Sequence, residues 1–251
     1  MKIVVCVKRV PDTTTVIRIA ADGKSIDESG VSQWIMNPYD EYALEEALRI
    51  KEKAGAGEVV LLALGGPDTV AILRSGMAMG ADRSVHLKTD SKAWDPYSVA
   101  SALAEQLKAI PFDLCLFGKQ AVDDDFGQVG SIVAGILGLP VASVVVKLEI
   151  DGTNVTATRE IEGGQERVGA SLPAVFTIQK LPYDPRFASL RGIMAAKKKP
   201  IEEKAAPAPA PKMELVKLEY PPQRPAGRIV GKGTEAVPEL VRLLRDEAKV
   251  L

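Results

Sequence analysis

The chain has 251 residues, of which 46% are hydrophobic, enough to build the core of one large domain. Its 32 basic and 33 acidic residues nearly cancel, which argues against a general nucleic-acid binder, because phosphate contacts need a basic excess. No apolar run is long enough to span a bilayer and no signal-peptide pattern opens the sequence. We therefore expect a cytoplasmic protein with no direct membrane insertion.

Two residue types limit the chemistry further. The only cysteines, Cys6 and Cys115, lie in apolar runs typical of strands, which favours buried free thiols over a disulfide. His86 is the single histidine, which argues against a histidine-dependent catalytic centre or a multi-histidine metal site. We predict no metal site.

Short apolar runs alternate with helical patterns through the first two-thirds of the chain. Buried strands are predicted at 2–7, 58–64, 84–87 and 112–117. Helices are predicted to begin at Asn37, Asp68, Asp95 and Gln128. Asn37 and Asp95 suit the N-cap because each precedes a proline, and Asp40 can bond back within the first turn. This alternation predicts an α/β fold in which helices cover both faces of a parallel sheet.

The pattern changes after residue 143. Runs at 144–150 and 155–161 flank Asp151-Gly152, which predicts a β-hairpin, and 173–179 is one more strand. Regular patterning is lost at 186–199, 205–212 is an Ala-Pro linker, and a short amphipathic helix lies within 231–251. We predict an α/β domain at 1–185, a recognition loop at 186–200, and a linker with an extended C-terminal arm at 201–251.

The stretch after the 112–117 strand is the most informative one for function. Ligands of open α/β sheets lie beyond the carboxyl ends of the strands, and a following helix offers free N–H groups to a phosphate. Gly118 allows close approach of the backbone, and Lys119 adds a positive charge. The side chains of the three aspartates at 123–125 either cap a helix, pair with Lys119 or face solvent. The segment is therefore either a nucleotide-binding loop or an ordinary loop with an acidic tip.

Two other strand ends, at 6–9 and 65–67, lie at the same predicted edge of the sheet. The sequence contains no G-x-G-x-x-G fingerprint, no P-loop and no G-x-S-x-G elbow. These features together favour a chain that binds a nucleotide without the residues to hydrolyse it.

Leu190, Ile193 and Met194 are large apolar residues in a segment without regular pattern. They either cover the edge of the sheet or anchor a partner protein. The lysines at 197–199 are either a solvated cluster or the rim of that surface.

Several motifs in a fixed order resemble the β subunits of electron-transferring flavoproteins, and the resemblance runs through nearly the whole chain. The motifs are VCVKRV at 5–10, MNPYDE at 36–41, AMGADR at 78–83, the 118–128 stretch, REIEGG at 159–164, LPAV at 172–175, IMAAKKK at 193–199 and PPQR at 221–224.

The resemblance implies a fold related to adenine nucleotide α-hydrolases and a heterodimer with a flavoprotein α subunit that holds most of the FAD. The β chain of most members binds a structural AMP. Carried over by position, the AMP site would comprise Cys6, Asn37, Pro38, Tyr39, Asp40, Gly65, Gly118, Lys119, Gln120, Ala121, Val122, Asp123, Asp124, Asp125, Phe126, Gly127, Gln128 and Val129.

The resemblance also implies an electron carrier rather than an enzyme. Leu190, with Ile193 and Met194, would dock acyl-CoA or related dehydrogenases, and the electrons would pass to a membrane quinone oxidoreductase. The C-terminal arm would lie on the α subunit. The location would be the bacterial cytoplasm, or the mitochondrial matrix in a eukaryote.

Two alternatives remain. Bifurcating relatives hold a second FAD in place of AMP and work with NADH, and the PDTT run at 11–14 is frequent among them. Lys119 and the uninterrupted aspartates favour the AMP type. A stand-alone nucleotide-sensing module of the universal-stress type would share the fold, but it leaves the 190–199 segment and the C-terminal arm without a role.

Overall fold

The computed structural model describes residues 1–223 and 226–251, so Arg224 of the PPQR motif lies outside the described residues. The chain divides into two compact units, Met1–Val216 and Lys217–Leu251. No helix within the described ranges is long and apolar enough to cross a membrane.

A nine-stranded sheet forms the centre of the larger unit. Its strands, in chain order, are β1 (Lys2–Cys6), β4 (Glu58–Gly65), β5 (Arg83–Lys88), β6 (Leu114–Gly118), β7 (Val141–Asp151), β8 (Asn154–Ile161), β9 (Gly164–Ser171), β10 (Ala174–Ile178) and β11 (Ile201–Ala205). The spatial order is β11-β5-β4-β1-β6-β10-β7-β8-β9. Neighbours from β11 to β7 are parallel, and β7, β8 and β9 are joined by antiparallel pairing. A separate antiparallel ribbon pairs β2 (Arg9–Pro11) with β3 (Trp34–Met36).

Helices cover both faces of the sheet, as predicted. The helices of the larger unit are α1 (Pro38–Ala54), α2 (Thr69–Met79), α3 (Pro96–Lys108), α4 (Val129–Leu137) and α5 (Leu190–Ala196). Alternate residues of β1 contribute to two different hydrophobic cores, because successive side chains of a strand point to opposite faces of the sheet. Ile3 belongs to the core that contains residues of α1, α2 and α5, whereas Val4 belongs to the core that contains residues of α3 and α4. The smaller unit contains α6 (Val237–Asp246), the predicted amphipathic helix.

The helix boundaries have local causes. Proline at the first position starts both α1 and α3, and Asp95 closes a capping box with Ser98. Gly55 and Gly138 end α1 and α4 in the left-handed conformation, where a side chain would be strained. Cys6 and Cys115 are buried free thiols, as predicted.

The strand order creates a topological switch point beside β1. The chain leaves β1 for β4 on one side and later places β6 on the other side, with parallel pairing throughout. The connections after β1 and β6 therefore diverge, which opens a crevice at the carboxyl edge of the sheet.

Several elements differ from the sequence predictions. The predicted hairpin is present as β7 and β8, but β9 extends it to three strands. The 186–199 segment, predicted to be irregular, contains the helix α5, which Ser189 caps through a hydrogen bond from the Gly192 N–H. Residues 201–205, assigned to the linker and arm, form the edge strand β11. Each missed strand carries polar residues on both faces or lies at an edge, so it lacks the apolar alternation that marks a buried strand.

Candidate functional site

A cavity of about 450 Å³ lies at the switch point. The carboxyl ends of β1, β4 and β6, the 89–94 loop and the 119–128 loop form its walls. The predicted site residues that line it are Cys6, Asn37, Asp40, Gly65, Gly118, Lys119, Gln120, Ala121, Asp124, Phe126, Gly127, Gln128 and Val129. The predicted residues that do not line it are Pro38, Tyr39, Val122, Asp123 and Asp125.

Asp40 joins three elements at the floor of this cavity. Its two carboxylate oxygens accept hydrogen bonds from the backbone N–H of Lys8 (2.8 Å) and of Gly118 (3.0 Å). The first turn of α1 is thereby tied to the ends of β1 and β6, rather than bonded back on itself as the sequence suggested. Burial raises the pKa of Asp40 to about 7, although these hydrogen bonds act in the opposite direction.

Gly118 is required by the close approach of α1. A Cβ atom at this position would lie 2.7 Å from Cβ and 2.8 Å from the carbonyl carbon of Tyr39. Any larger residue would separate the end of β6 from the start of α1, so the glycine serves the packing around Asp40.

Asn37 occupies the N-cap position of α1, as predicted, but its side chain makes no capping hydrogen bond. The amide instead donates to the Gln120 carbonyl (2.9 Å) and accepts from the Val122 N–H (3.2 Å). The side chain is buried and fixes the base of the 119–128 loop.

The three aspartates of that loop have two partners, Lys8 for Asp123 and Asp124 and Gln120 for Asp125. Lys8 Nζ lies 2.8 Å from Asp123 Oδ1 and 2.7 Å from Asp124 Oδ2. Gln120 donates to Asp125 at 2.7 Å. The pairing with Lys119 that the sequence left open is absent from the described residues, since Lys119 lies over the Tyr39 ring instead. Burial opposes the charge of Lys8, but the two carboxylates prevail and raise its pKa.

Besides α1, the helices α3 and α4 begin at the wall of the cavity, and of these two only α3 has a side-chain cap. Asp95 lines the cavity and caps α3 by accepting from the Ser98 N–H (2.8 Å). Its other oxygen accepts from the backbone N–H of Lys212 (2.7 Å) and Met213 (3.0 Å), which attaches part of the Pro-rich segment to α3. Burial alone would raise the pKa of Asp95, but these hydrogen bonds lower it to about 2.

The start of α4 is different. Gln128 occupies its N-cap without a side-chain hydrogen bond, and Gln128, Val129 and Gly130 line the cavity. The first turn of a helix leaves N–H groups without intrahelical acceptors and carries a partial positive charge. Lys119 also lines the cavity and adds a positive charge, so the start of α4 is suited to an anion.

Part of the wall is apolar and was largely missed by sequence reasoning. Leu64, Trp94, Val99, Leu103 and Phe117 contribute to it. Trp94 belongs to the loop that follows β5. The signal was available, because β5 is a further parallel strand whose carboxyl end must reach the same edge of the sheet.

The end of β4 is held in place beside this wall. The Gly65 carbonyl accepts hydrogen bonds from the Thr89 N–H (3.0 Å) and from His86 Nε2 (3.0 Å). His86 is therefore a buried structural residue that aligns the two strand ends.

The predicted docking residues form an exposed surface on α5. Leu190 is 84% exposed, and Ile193 and Met194 are also exposed. Phe187, which the sequence analysis did not select, is 98% exposed next to them. These side chains therefore do not cover the edge of the sheet.

The segment around α5 is attached firmly to α2. Arg74 donates to the carbonyls of Ala196 and Lys199, both at 2.6 Å. Lys199 Nζ donates to the carbonyls of Met77 (2.9 Å) and Ala81 (2.6 Å) at the end of α2. Lys199 thus stabilises a helix terminus instead of belonging to a solvated cluster, while Lys197 and Lys198 are exposed.

The parallel sheet, the helices on both faces and the cavity at the switch point define an α/β protein of the adenine nucleotide α-hydrolase-like fold. Residues 25–209 match the family model described as electron transfer flavoprotein domain. The chain is 40% identical to the electron transfer flavoprotein subunit beta of Bacillus subtilis, with all of both chains covered. It is 40% identical to the mitochondrial subunit beta of Arabidopsis thaliana, again over all of both chains. It is 36% identical to the human subunit beta, with all of this chain and 99% of the relative covered. The chain therefore belongs to the electron transfer flavoprotein β-subunit family.

Proposed function

We propose that this chain binds AMP in the cavity beside β1 and assembles with a flavoprotein α subunit that holds the redox FAD. In this role it is a carrier subunit, without catalytic residues of its own. The heterodimer takes electrons from acyl-CoA or related dehydrogenases and passes them to a membrane quinone oxidoreductase. Its place of action is the bacterial cytoplasm, or the mitochondrial matrix in a eukaryote.

The observation that carries the AMP proposal is the mixed lining of the cavity. The uncapped start of α4 and Lys119 supply N–H donors and a positive charge, while Leu64, Trp94 and Leu103 supply apolar surface. A nucleotide needs both kinds of surface, a polar one for its anionic phosphate and an apolar one for its base. The volume of about 450 Å³ falls within the range of about 300–1,000 Å³ that is usual for small-molecule sites.

Among the helices that begin at the cavity, only α4 has neither an acidic residue in its first turn, as α1 has Asp40, nor a carboxylate cap, as α3 has Asp95. Asp95 places a carboxylate at the start of α3 and accepts the hydrogen bond of the Ser98 N–H, which disfavours an anion there. The start of α4 has no such carboxylate cap. We therefore assign Gln128, Val129 and Gly130 to the phosphate and the apolar wall to the adenine ring.

The proposed docking of dehydrogenases and the proposed assembly with an α subunit rest on other observations. The exposed apolar residues of α5 lie on a segment held rigidly by Arg74 and Lys199, so they can enter a partner's pocket at little cost in ordering. The names of the relatives describe them as subunits, which supports assembly with an α chain.

The deciding experiment is the nucleotide content of the complex purified after co-expression with its α chain. Acid extraction followed by chromatography is expected to give one AMP and one FAD per heterodimer. Two FAD and no AMP would replace the proposal with a bifurcating subunit. Failure to co-purify with any α chain would contradict the carrier role.

A further inference from the structure

We infer that the ion pairs of Lys8 with Asp123 and Asp124 form a latch that keeps the nucleotide in the cavity by holding the tip of the 119–128 loop against the end of β1. This inference rests on the proposed function, since it concerns retention in the same cavity. It also gives a role to the run of aspartates, which a phosphate-binding loop would not need.

The two sides of the latch come from distant parts of the chain. Lys8 follows β1 directly, and its backbone N–H is fixed by Asp40 at 2.8 Å. The aspartates lie 115 and 116 residues later, and their carboxylates lie 2.8 and 2.7 Å from Lys8 Nζ. Lys8 and Asp124 both line the cavity, so their contact bridges its wall.

The base and the tip of the loop are held by different contacts. Asn37 binds Gln120 and Val122, and the Lys119 N–H donates to the Ile178 carbonyl (2.8 Å), so the base is anchored independently of Lys8. Within the described part of the chain, the tip at 123–127 has ion pairs to residues outside the loop only through Lys8. Loss of Lys8 therefore removes these ion pairs from the tip without releasing the base, and the tip keeps the hydrogen bond from Gln120 to Asp125 (2.7 Å).

A simpler role for Lys8 would be direct attraction of the phosphate, and the two roles predict opposite effects of the aspartates. If Lys8 acts only on the phosphate, neutralising Asp123 and Asp124 removes repulsive charge and tightens binding. If the ion pairs are a latch, the same change accelerates release. The sign of the effect separates the two roles.

The strength of the latch follows from its exposure. The side chains of Lys8, Asp123 and Asp124 are 42%, 28% and 37% exposed, so the ion pairs are partly screened by solvent. Pairs of this kind contribute modestly, and we expect their loss to accelerate nucleotide release by about threefold to tenfold. Raised salt will accelerate release from the unmodified protein more than from a variant without the latch.

The test measures release of a fluorescent N-methylanthraniloyl AMP from the full heterodimer after addition of excess unlabelled AMP. Lys8→Met and the double variant Asp123→Asn/Asp124→Asn are expected to accelerate release by similar factors. Their combination should release no faster than Lys8→Met alone, because both changes break the same contacts. Lys147→Met is the matched control, since it breaks an exposed ion pair with Glu149 (3.1 Å) at residues that do not line the cavity.

Slower release from the aspartate double variant would overturn the latch in favour of direct phosphate binding. Equal release from all variants, with AMP bound by the unmodified complex, would overturn the latch and leave the proposed function standing. A complex that binds no AMP would overturn the proposed function itself. In that case hydrogen exchange decides on the latch: the tip residues 123–127 must exchange faster in Lys8→Met, and equal exchange overturns it.

Discussion

Replacing Asn37 by aspartate tests whether this residue is a helix cap or a loop anchor. Asparagine and aspartate are equally good N-caps, so the sequence position alone predicts a neutral change. The structure predicts destabilisation, because the Asn37 amide donates to the Gln120 carbonyl at 2.9 Å and a carboxylate cannot donate.

The magnitude follows from the contacts. The substitution removes one hydrogen bond and leaves a carbonyl acceptor facing a carboxylate in a part-buried site, which costs about 2 kcal/mol of the free energy of unfolding. For a chain of this size the corresponding decrease in Tm is roughly 4–8 °C. The loss should increase with pH, since the pKa of neighbouring Asp40 is about 7 and two ionised carboxylates repel each other.

Differential scanning calorimetry at pH 6 and pH 8 measures the Tm, and hydrogen exchange of the Val122 amide reports on the loop. Ser189→Asp is the matched control, because Ser189 is a genuine cap that accepts from the Gly192 N–H and aspartate replaces it equally well. If Asn37→Asp has the Tm and the Val122 exchange rate of the unmodified protein, the loop-anchor interpretation is refuted.

Three further predictions concern the walls of the cavity. Asp95→Asn retains an oxygen for the helix cap but turns an amide NH2 toward the backbone N–H groups of Lys212 and Met213, which then lose their acceptor. Trypsin should therefore cleave after Lys212 several times faster, and an unchanged time course contradicts this. Gly118→Ala forces the new Cβ against Tyr39 and should lower the free energy of unfolding by about 1–3 kcal/mol in urea denaturation, whereas a neutral result would show that α1 shifts freely. The pKa of Asp40 is raised above its unfolded value, so its contribution to stability is present below about pH 4 and lost as pH rises to about 7. The difference in unfolding free energy between the unmodified protein and Asp40→Asn should follow that curve, and a flat difference would contradict the buried carboxyl.

The parallel part of the fold was predictable because its strands are buried on both faces. Strands that are buried on both faces consist of continuous apolar runs such as 58–64. The residues that start helices, such as Pro38 and Asp95, are recognisable from local sequence alone. The two strands of the large sheet that were missed, β9 and β11, lie at its edges. Edge strands can carry charged residues that face solvent, so they lack the apolar run by which a buried strand is recognised.

The sequence by itself determined which segments meet at the site. The carboxyl ends of parallel strands share one edge, so the residues after β1, β4 and β6 had to converge whatever the details of packing. Composition and the absence of nucleotide-hydrolysis motifs also limited the chemistry without any coordinates.

Only the tertiary structure decided what each polar side chain does there. Asn37 binds a loop instead of its own helix, Asp40 joins two strand ends, and Lys8 rather than Lys119 pairs with the aspartates. These partners lie between 32 and 116 residues apart, so local patterns carry no information about them. Hydrogen bonds and ion pairs are sensitive to changes in distance of a few tenths of an ångström. The positions of the partners are fixed to that precision only when the whole core packs.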